Sequence, residues 1–328
     1  MIAMHRRILA ALAMLCLTFF VAACGDDNKS GSGSTGSTPA SGDGGKAITK
    51  DAANASKGTI AVGSKNFTEQ FILGEIYAQT LEAEGYKVRR RLNLGSEQVA
   101  YKALKGGSID MYPEYTGTAL TSFFNVKTKD VPPDADQAYE EAKAEYAKNN
   151  ITALARTPFQ NTYIIASTKA TAAKEGNPKT VSELMAKNPN LSISGFPECR
   201  QRQDCLLGLR SVYGFKGKFV SSDGKFSDLD GGQSDLTLAF STDPQLALTD
   251  KYAAYLDDKK FFPPYNITLG IRNATVTKLG DKTIATLESV QKGMTEEAMR
   301  ELNRRVELDK QEPKAVAAAY LKEEGFTS

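Results

Sequence analysis

Short apolar runs and stretches with helical spacing take turns along most of this chain, and the exceptions lie at its start. Ile8–Ala23 is apolar but for Thr18, and Gly25–Lys57 offers almost nothing to bury. Beyond it, Thr59–Val62 predicts a strand. Phe71, Ile72, Glu75, Ile76 and Gln79 keep the 3.6-residue period of a helix that should close at Gly85, and Asn66 followed by Glu69 reads as its capping box. The unit recurs as strand Val88–Asn93, helix Ser96–Lys105, strand Ile109–Tyr112 and a helix start at Thr116. Further strands are predicted at Thr162–Ala166, Leu191–Ser194, Leu236–Phe240 and Ile267–Ile271, with helices at Val181–Lys187 and Asp204–Tyr213 and a helix start at Asp243. From about Thr277 the pattern is helical to the end, Pro313 restarting the last helix. Strands alternating with helices predict an α/β protein with parallel, doubly wound sheets.

The length of 328 residues, with 41% hydrophobic and 24% charged, fits two such domains. Open α/β sheets place ligands beyond the carboxyl ends of their strands, and a cleft between two lobes is a natural pocket.

The start of the chain reads as an address. Met1–Arg7 carries two arginines and precedes the apolar run, the layout of a secretory signal too short for a membrane span. The run closes with Val21-Ala22-Ala23-Cys24-Gly25, which resembles a bacterial lipoprotein box; cleavage would leave Cys24 to carry lipid. The signal is thus 1–23, and 24–57 is expected to be a flexible Gly/Ser tether reaching on the order of 30 Å. Of four cysteines, Cys16 leaves with the signal, so Cys199 and Cys205 are expected to form a disulfide in an oxidising compartment.

Composition then removes several chemistries. The only histidine is His5, inside the leader, so serine–histidine, cysteine–histidine and histidine–metal sites are excluded from the mature chain. With 41 basic and 39 acidic residues, and Arg6 and Arg7 in the leader, the mature chain is neutral and gives no reason to expect nucleic acid. No cofactor and no metal are expected, and no enzyme.

Two motifs narrow the reading. Gly63-Ser-Lys-Asn-Phe-Thr-Glu-Gln-Phe-Ile-Leu-Gly-Glu75 and Asp110-Met-Tyr-Pro-Glu-Tyr-Thr-Gly-Thr118 strongly resemble the osmoprotectant-binding proteins of ABC transporters, which take glycine betaine, choline and proline betaine. Phe196-Pro-Glu198, Arg202-Gln-Asp204, Ser241-Thr-Asp243 and Phe262-Pro-Pro-Tyr265 follow in the same order. The resemblance covers Gly58 to Ser328 and implies a two-lobed periplasmic-binding-protein fold of type II. Lobe 1 would be 58–159 plus 264–328 and lobe 2 would be 160–263. It implies a receptor held by lipid at the outer face of the cell membrane, delivering solute to ABC permease subunits.

A trimethylammonium group has no N–H to donate, so ring faces must hold it, at about 0.5–2 kcal/mol each when desolvated. The resemblance assigns this cage to Tyr115, Tyr163, Tyr265 and Phe240, the last standing where relatives commonly carry tyrosine. Asn161 stands where some relatives present an aspartate main-chain carbonyl to the methyl groups. The ligand carboxylate would fall to Lys65, Thr118 and Arg202, with Arg200 competing for the last role. Lys65 and Thr118 also lie at expected helix starts, which favour anions. Three rival readings are a binder of ordinary amino acids or polyamines, an enzyme-derived exported protein, and a sensory or adhesive lipoprotein without transport.

Overall fold

The computed structural model describes residues 46–328; the leader, Cys24 and the Gly/Ser run to residue 45 lie outside the described residues. In chain order the elements are β1 (Thr59–Gly63), α1 (Thr68–Ala83), β2 (Lys87–Arg91), α2 (Glu97–Lys105), β3 (Met111–Tyr115), α3 (Thr116–Thr118, prolonged by a π turn Ala119–Phe123), α4 (Ala135–Ala147) and β4 (Ile151–Ala153). Next come β5 (Tyr163–Thr168), α5 (Lys169–Lys174), α6 (Val181–Lys187), β6 (Ile193–Gly195), α7 (Leu206–Tyr213), β7 (Phe219–Ser221), α8 (Phe226–Asp230), β8 (Leu236–Phe240) and β9 (Tyr252–Tyr255). The chain ends with β10 (Ile267–Arg272), α9 (Asn273–Leu279), α10 (Asp281–Lys292), α11 (Glu296–Glu307) and α12 (Pro313–Glu323).

The strands form two five-stranded sheets, ordered β2-β1-β3-β10-β4 and β7-β6-β8-β5-β9. Both are mixed, which corrects the expectation of parallel sheets. β10 runs antiparallel to β3 and β4, and β5 antiparallel to β8 and β9. The cause is connectivity. A helical crossover returns a strand parallel to its predecessor, but β5 and β10 are the strands by which the chain enters a sheet from the other one.

The two connecting segments run side by side. Gln160 bridges Asn266, Asn161 N–H donates to the Tyr265 carbonyl at 3.0 Å, and Thr157 N–H to that of Ile267 at 2.8 Å. The Asn266 amide donates to the carbonyls of Thr157 and Phe159.

A second correction concerns the tether. Residues 46–57 belong to the folded body: Ile48 N–H bonds to the Phe326 carbonyl, Asp51 N–H to that of Glu84, and the buried Asn54 side chain donates to the same Glu84 oxygen at 2.8 Å. The segment therefore satisfies a carbonyl left open at the end of α1. Gly85, at φ +97°, makes room: a Cβ there would lie 2.5 Å from the Asp51 carbonyl oxygen.

α1 is buried nearly all round, packed between its sheet and helices α11 and α12. The capping box does not form, because the N-cap is Phe67, without a side-chain cap bond, and Glu69 is turned inward. α6 and α11 are capped as their sequences suggest, by Thr180 and Thr295, and α7 ends on Gly214 at φ 73°. Cys199 and Cys205 are joined, Cα to Cα 5.2 Å. No described helix is long and apolar enough to cross a membrane.

Candidate ligand-binding site

One cavity of about 610 Å³ opens between the two sheets, and all eight residues assigned from the sequence line it. Lys65 follows β1, Tyr115 ends β3, Thr118 closes α3 and Tyr265 precedes β10; Asn161 precedes β5, Tyr163 opens it, Arg202 lies before α7 and Phe240 ends β8. Six of the eight thus sit at or near strand ends, where a sheet stops shielding side chains from the cleft, and Thr118 and Arg202 stand at helix ends.

Rings meet from both sides. Tyr163 lies 5.3 Å from Tyr265 at a near-perpendicular 79°, 5.4 Å from Phe240, 5.2 Å from Phe262 and 6.0 Å from Phe196. Phe67 joins Tyr115 at 6.1 Å to Phe240 at 5.9 Å. Tyr115, Tyr163, Phe196, Phe240, Tyr265 and Phe67 thus form an aromatic wall on one cavity. Phe67 and Phe196 were not singled out, although both stand inside the quoted motifs.

The two cavity-lining cations assigned from the sequence each have an acidic partner. Lys65 pairs with the buried Glu114 and sits 4.5 Å from the Tyr115 ring centre. Arg202 grips Asp204 bidentately, Nε to Oδ1 at 2.8 Å and Nη2 to Oδ2 at 2.5 Å, and reaches Glu97 at 3.3 Å and Thr118 Oγ1 at 3.5 Å. Burial alone would raise the Asp204 carboxyl, but the Arg202 charge, its hydrogen bonds and those of Tyr265 and Thr121 hold it below the ordinary 3.8. A buried charge is costly unless paired, and both cations to which the sequence assigned a ligand carboxylate are paired within the protein. Arg200 lies over the Phe219 ring and does not line the cavity.

The sequence also left out Glu69. Its Oε1 accepts from the Tyr115 hydroxyl at 2.8 Å and the Asn161 amide at 2.9 Å, and its Oε2 from Thr242 at 2.6 Å and Asn303 at 3.2 Å. These donors come from both sheets' regions and from α11. Burial raises its pKa above 4.5 despite the four hydrogen bonds. The capping explanation concealed this role; Asn303 carried a fainter signal, a polar residue on the buried Met299–Leu302 stripe of α11.

Residues 58–323 match the family described as the substrate binding domain of ABC-type glycine betaine transport system. The glycine-betaine-binding protein of Pseudomonas aeruginosa is 30% identical over 281 residues, 81% of this chain and 88% of that one. An ergothioneine transport permease/ergothioneine binding protein of Helicobacter pylori is 30% identical over 272 residues, but this chain spans only 48% of its length. Among solved structures, a glycine betaine/carnitine/choline ABC transporter protein superposes with a TM-score of 0.65 at 25% identity, covering 80% of this chain and 98% of that one. Apo glycine betaine-binding protein YehZ of Escherichia coli gives 0.62 at 26% identity, covering 82% and 99%.

Proposed function

Because this chain belongs to the substrate-binding domains of ABC-type glycine betaine transport systems, we propose that its lobes close about quaternary-ammonium osmoprotectants such as glycine betaine and choline, holding the methylated nitrogen in the ring-lined part of the cavity. The family binds small solutes for permease subunits of an importer and is not an enzyme. One observation carries the reading: rings of both lobes, Tyr115 and Tyr265 from one, Tyr163 and Phe240 from the other, line a single cavity. Tyr115, Tyr163, Tyr265 and Phe240 form the cage, with Asn161 at its edge.

With Lys65 and Arg202 already paired, the methylated nitrogen and not the carboxylate dominates recognition. A ligand carboxylate gains only the donor capacity that Thr118 and Arg202 retain. Choline and glycine betaine should therefore bind within about tenfold of each other, a difference of about 1.4 kcal/mol. A receptor for ordinary amines would need a carboxylate facing an N–H beside the rings; Glu69, Glu114 and Asp204 are occupied by internal donors, which leaves that reading only Glu198 and Asp223 elsewhere on the cavity wall.

The test is thermal denaturation of the full chain titrated with choline, glycine betaine, proline and arginine. Binding to the closed form raises the melting temperature by mass action, so choline and glycine betaine should shift it and arginine should not. No shift with either methylated ligand contradicts the proposal.

The leader extends the proposal to location. Cys24 carries lipid at the outer face of the membrane, and the Gly/Ser run spaces the folded body from it. Cys24→Ser should release the protein from the membrane fraction.

A further inference from the structure

Phe67 and Glu69, two residues apart at the start of α1, reach the same two parts of the molecule. The Phe67 ring lies 6.1 Å from that of Tyr115 and 5.9 Å from that of Phe240. The Glu69 carboxylate accepts from the Tyr115 hydroxyl at 2.8 Å and from the hydroxyl of Thr242, two residues past Phe240, at 2.6 Å. Tyr115 ends β3 of one sheet and Phe240 ends β8 of the other. Both contacts therefore join a cage ring of one lobe to a cage-bearing segment of the other.

The segment that carries Thr242 is stiff. Phe240 N–H donates to Asp243 Oδ2 and Asp243 N–H to the Phe240 carbonyl, both at 2.9 Å, and Ser241 N–H donates to the Thr162 carbonyl at 2.9 Å. From across the cleft, α11 adds Arg300 to the Ser241 carbonyl at 3.0 Å and Asn303 to that of Thr242 at 3.1 Å. Fixing Thr242 therefore fixes the Phe240 ring. Glu69 is 2% exposed, and its four donors, Tyr115, Asn161, Thr242 and Asn303, match the roughly four lone-pair sites of a carboxylate. Its acceptor capacity is filled, so although the group lines the cavity it acts through its neighbours and not on a solute.

Resting on the proposed function, we propose that Glu69 is a positioning residue for closure: when the lobes meet, its carboxylate fastens Thr242 of one to Tyr115 of the other and so sets the spacing of the cage rings that Tyr115 and Phe240 contribute. The bond to Thr242 crosses between lobes, so it forms in the closed state and supports ligand affinity, not the folding of either lobe. Hydrogen bonds to a charged acceptor are the stronger class, and losing one that forms on closure weakens a ligand by about tenfold.

The experiment is a double-mutant cycle on the full chain, with choline and glycine betaine affinities read by calorimetry for the wild type, Glu69→Gln, Thr242→Val and the pair, and ligand-free melting temperatures read alongside. Thr242→Val should weaken choline about tenfold while the ligand-free melting temperature stays within about 2 °C. Glu69→Gln should weaken it at least as much, and the double variant should lose no more than about threefold beyond Glu69→Gln, because the two residues act through one bond. Thr242→Ser, which restores the hydroxyl, should return the affinity to within about threefold of the wild type. Losses that multiply, or a Thr242→Val variant that binds choline like the wild type while Glu69→Gln binds weakly, would make Glu69 a direct counter-charge for the cation and overturn the inference while the proposed function stands. Failure of the wild type to bind either ligand overturns the proposed function and this inference with it.

Discussion

Replacing Tyr163 by leucine separates ring electrostatics from apolar burial. Tyr163 is 5% exposed and lies within 6.0 Å of Phe196, Phe240, Phe262 and Tyr265, so it occupies the middle of the ring array. Leucine keeps most of the apolar bulk and removes the π face. A desolvated cation–π contact contributes up to about 2 kcal/mol, and each 1.4 kcal/mol is about tenfold in affinity. Tyr163→Leu should thus weaken choline by roughly five- to thirtyfold, while Tyr163→Phe, which keeps the face, stays within about threefold. Isothermal calorimetry measures both, and the ligand-free melting temperatures show how much of the loss comes from the fold. Leucine and phenylalanine variants with equal choline affinity and similar melting temperatures would refute the reasoning.

The other expectations probe the surroundings. Glu69 has a pKa raised above 4.5 by burial, so the folded state holds more protons than the unfolded chain above that pH. Its contribution to stability is complete below the unfolded value and is lost as pH rises through the folded one; Glu69→Gln should flatten that decline in melting temperature, and an identical pH profile would contradict it. Tyr115→Phe removes a donor to Glu69, so it should cost about 1.5–3 kcal/mol of stability in chemical denaturation, a loss that a ring acting only by its face would not show. The bridge between Cys199 and Cys205 spans a sequence separation of 6, and the loop-entropy relation gives about 2 kcal/mol for so short a loop; Cys199→Ser with Cys205→Ser should show that loss without changing the choline-to-betaine ratio. Asn54→Ala should cost about 1 kcal/mol by removing a buried bond to the end of α1, where a residue in a loose tether would cost nothing.

The most legible elements were those with strong local patterns. β8 at Leu236–Phe240 and α6 at Val181–Lys187 fall on the expected residues, one an apolar run interrupted only by Thr237 and the other a short helix capped by Thr180. β4 and β7 have three residues each and β9 four, too short for a period to emerge. Strand direction was misjudged because the alternation of strands and helices was read as an unbroken series of parallel crossovers, although the expected lobe bounds already had the chain entering a new sheet before β5 and before β10. At the site, motif positions brought eight residues onto one cavity, yet their counter-charges stayed hidden. Glu97 looks like any of 39 acidic residues, and Glu114 and Asp204, although inside the quoted motifs, show no pairing until folding sets them against Lys65 and Arg202. Glu69 was obscured for the opposite reason, since a simpler local account of it was available.

The claim that ring faces hold a methylated cation is tested most directly by titrating the protein calorimetrically with choline and with its uncharged isostere, in which tert-butyl replaces trimethylammonium. Shape and apolar surface are matched, so only the charge differs. The cage described here binds choline at least tenfold more tightly than the isostere; equal affinities would show that the rings provide apolar contact alone.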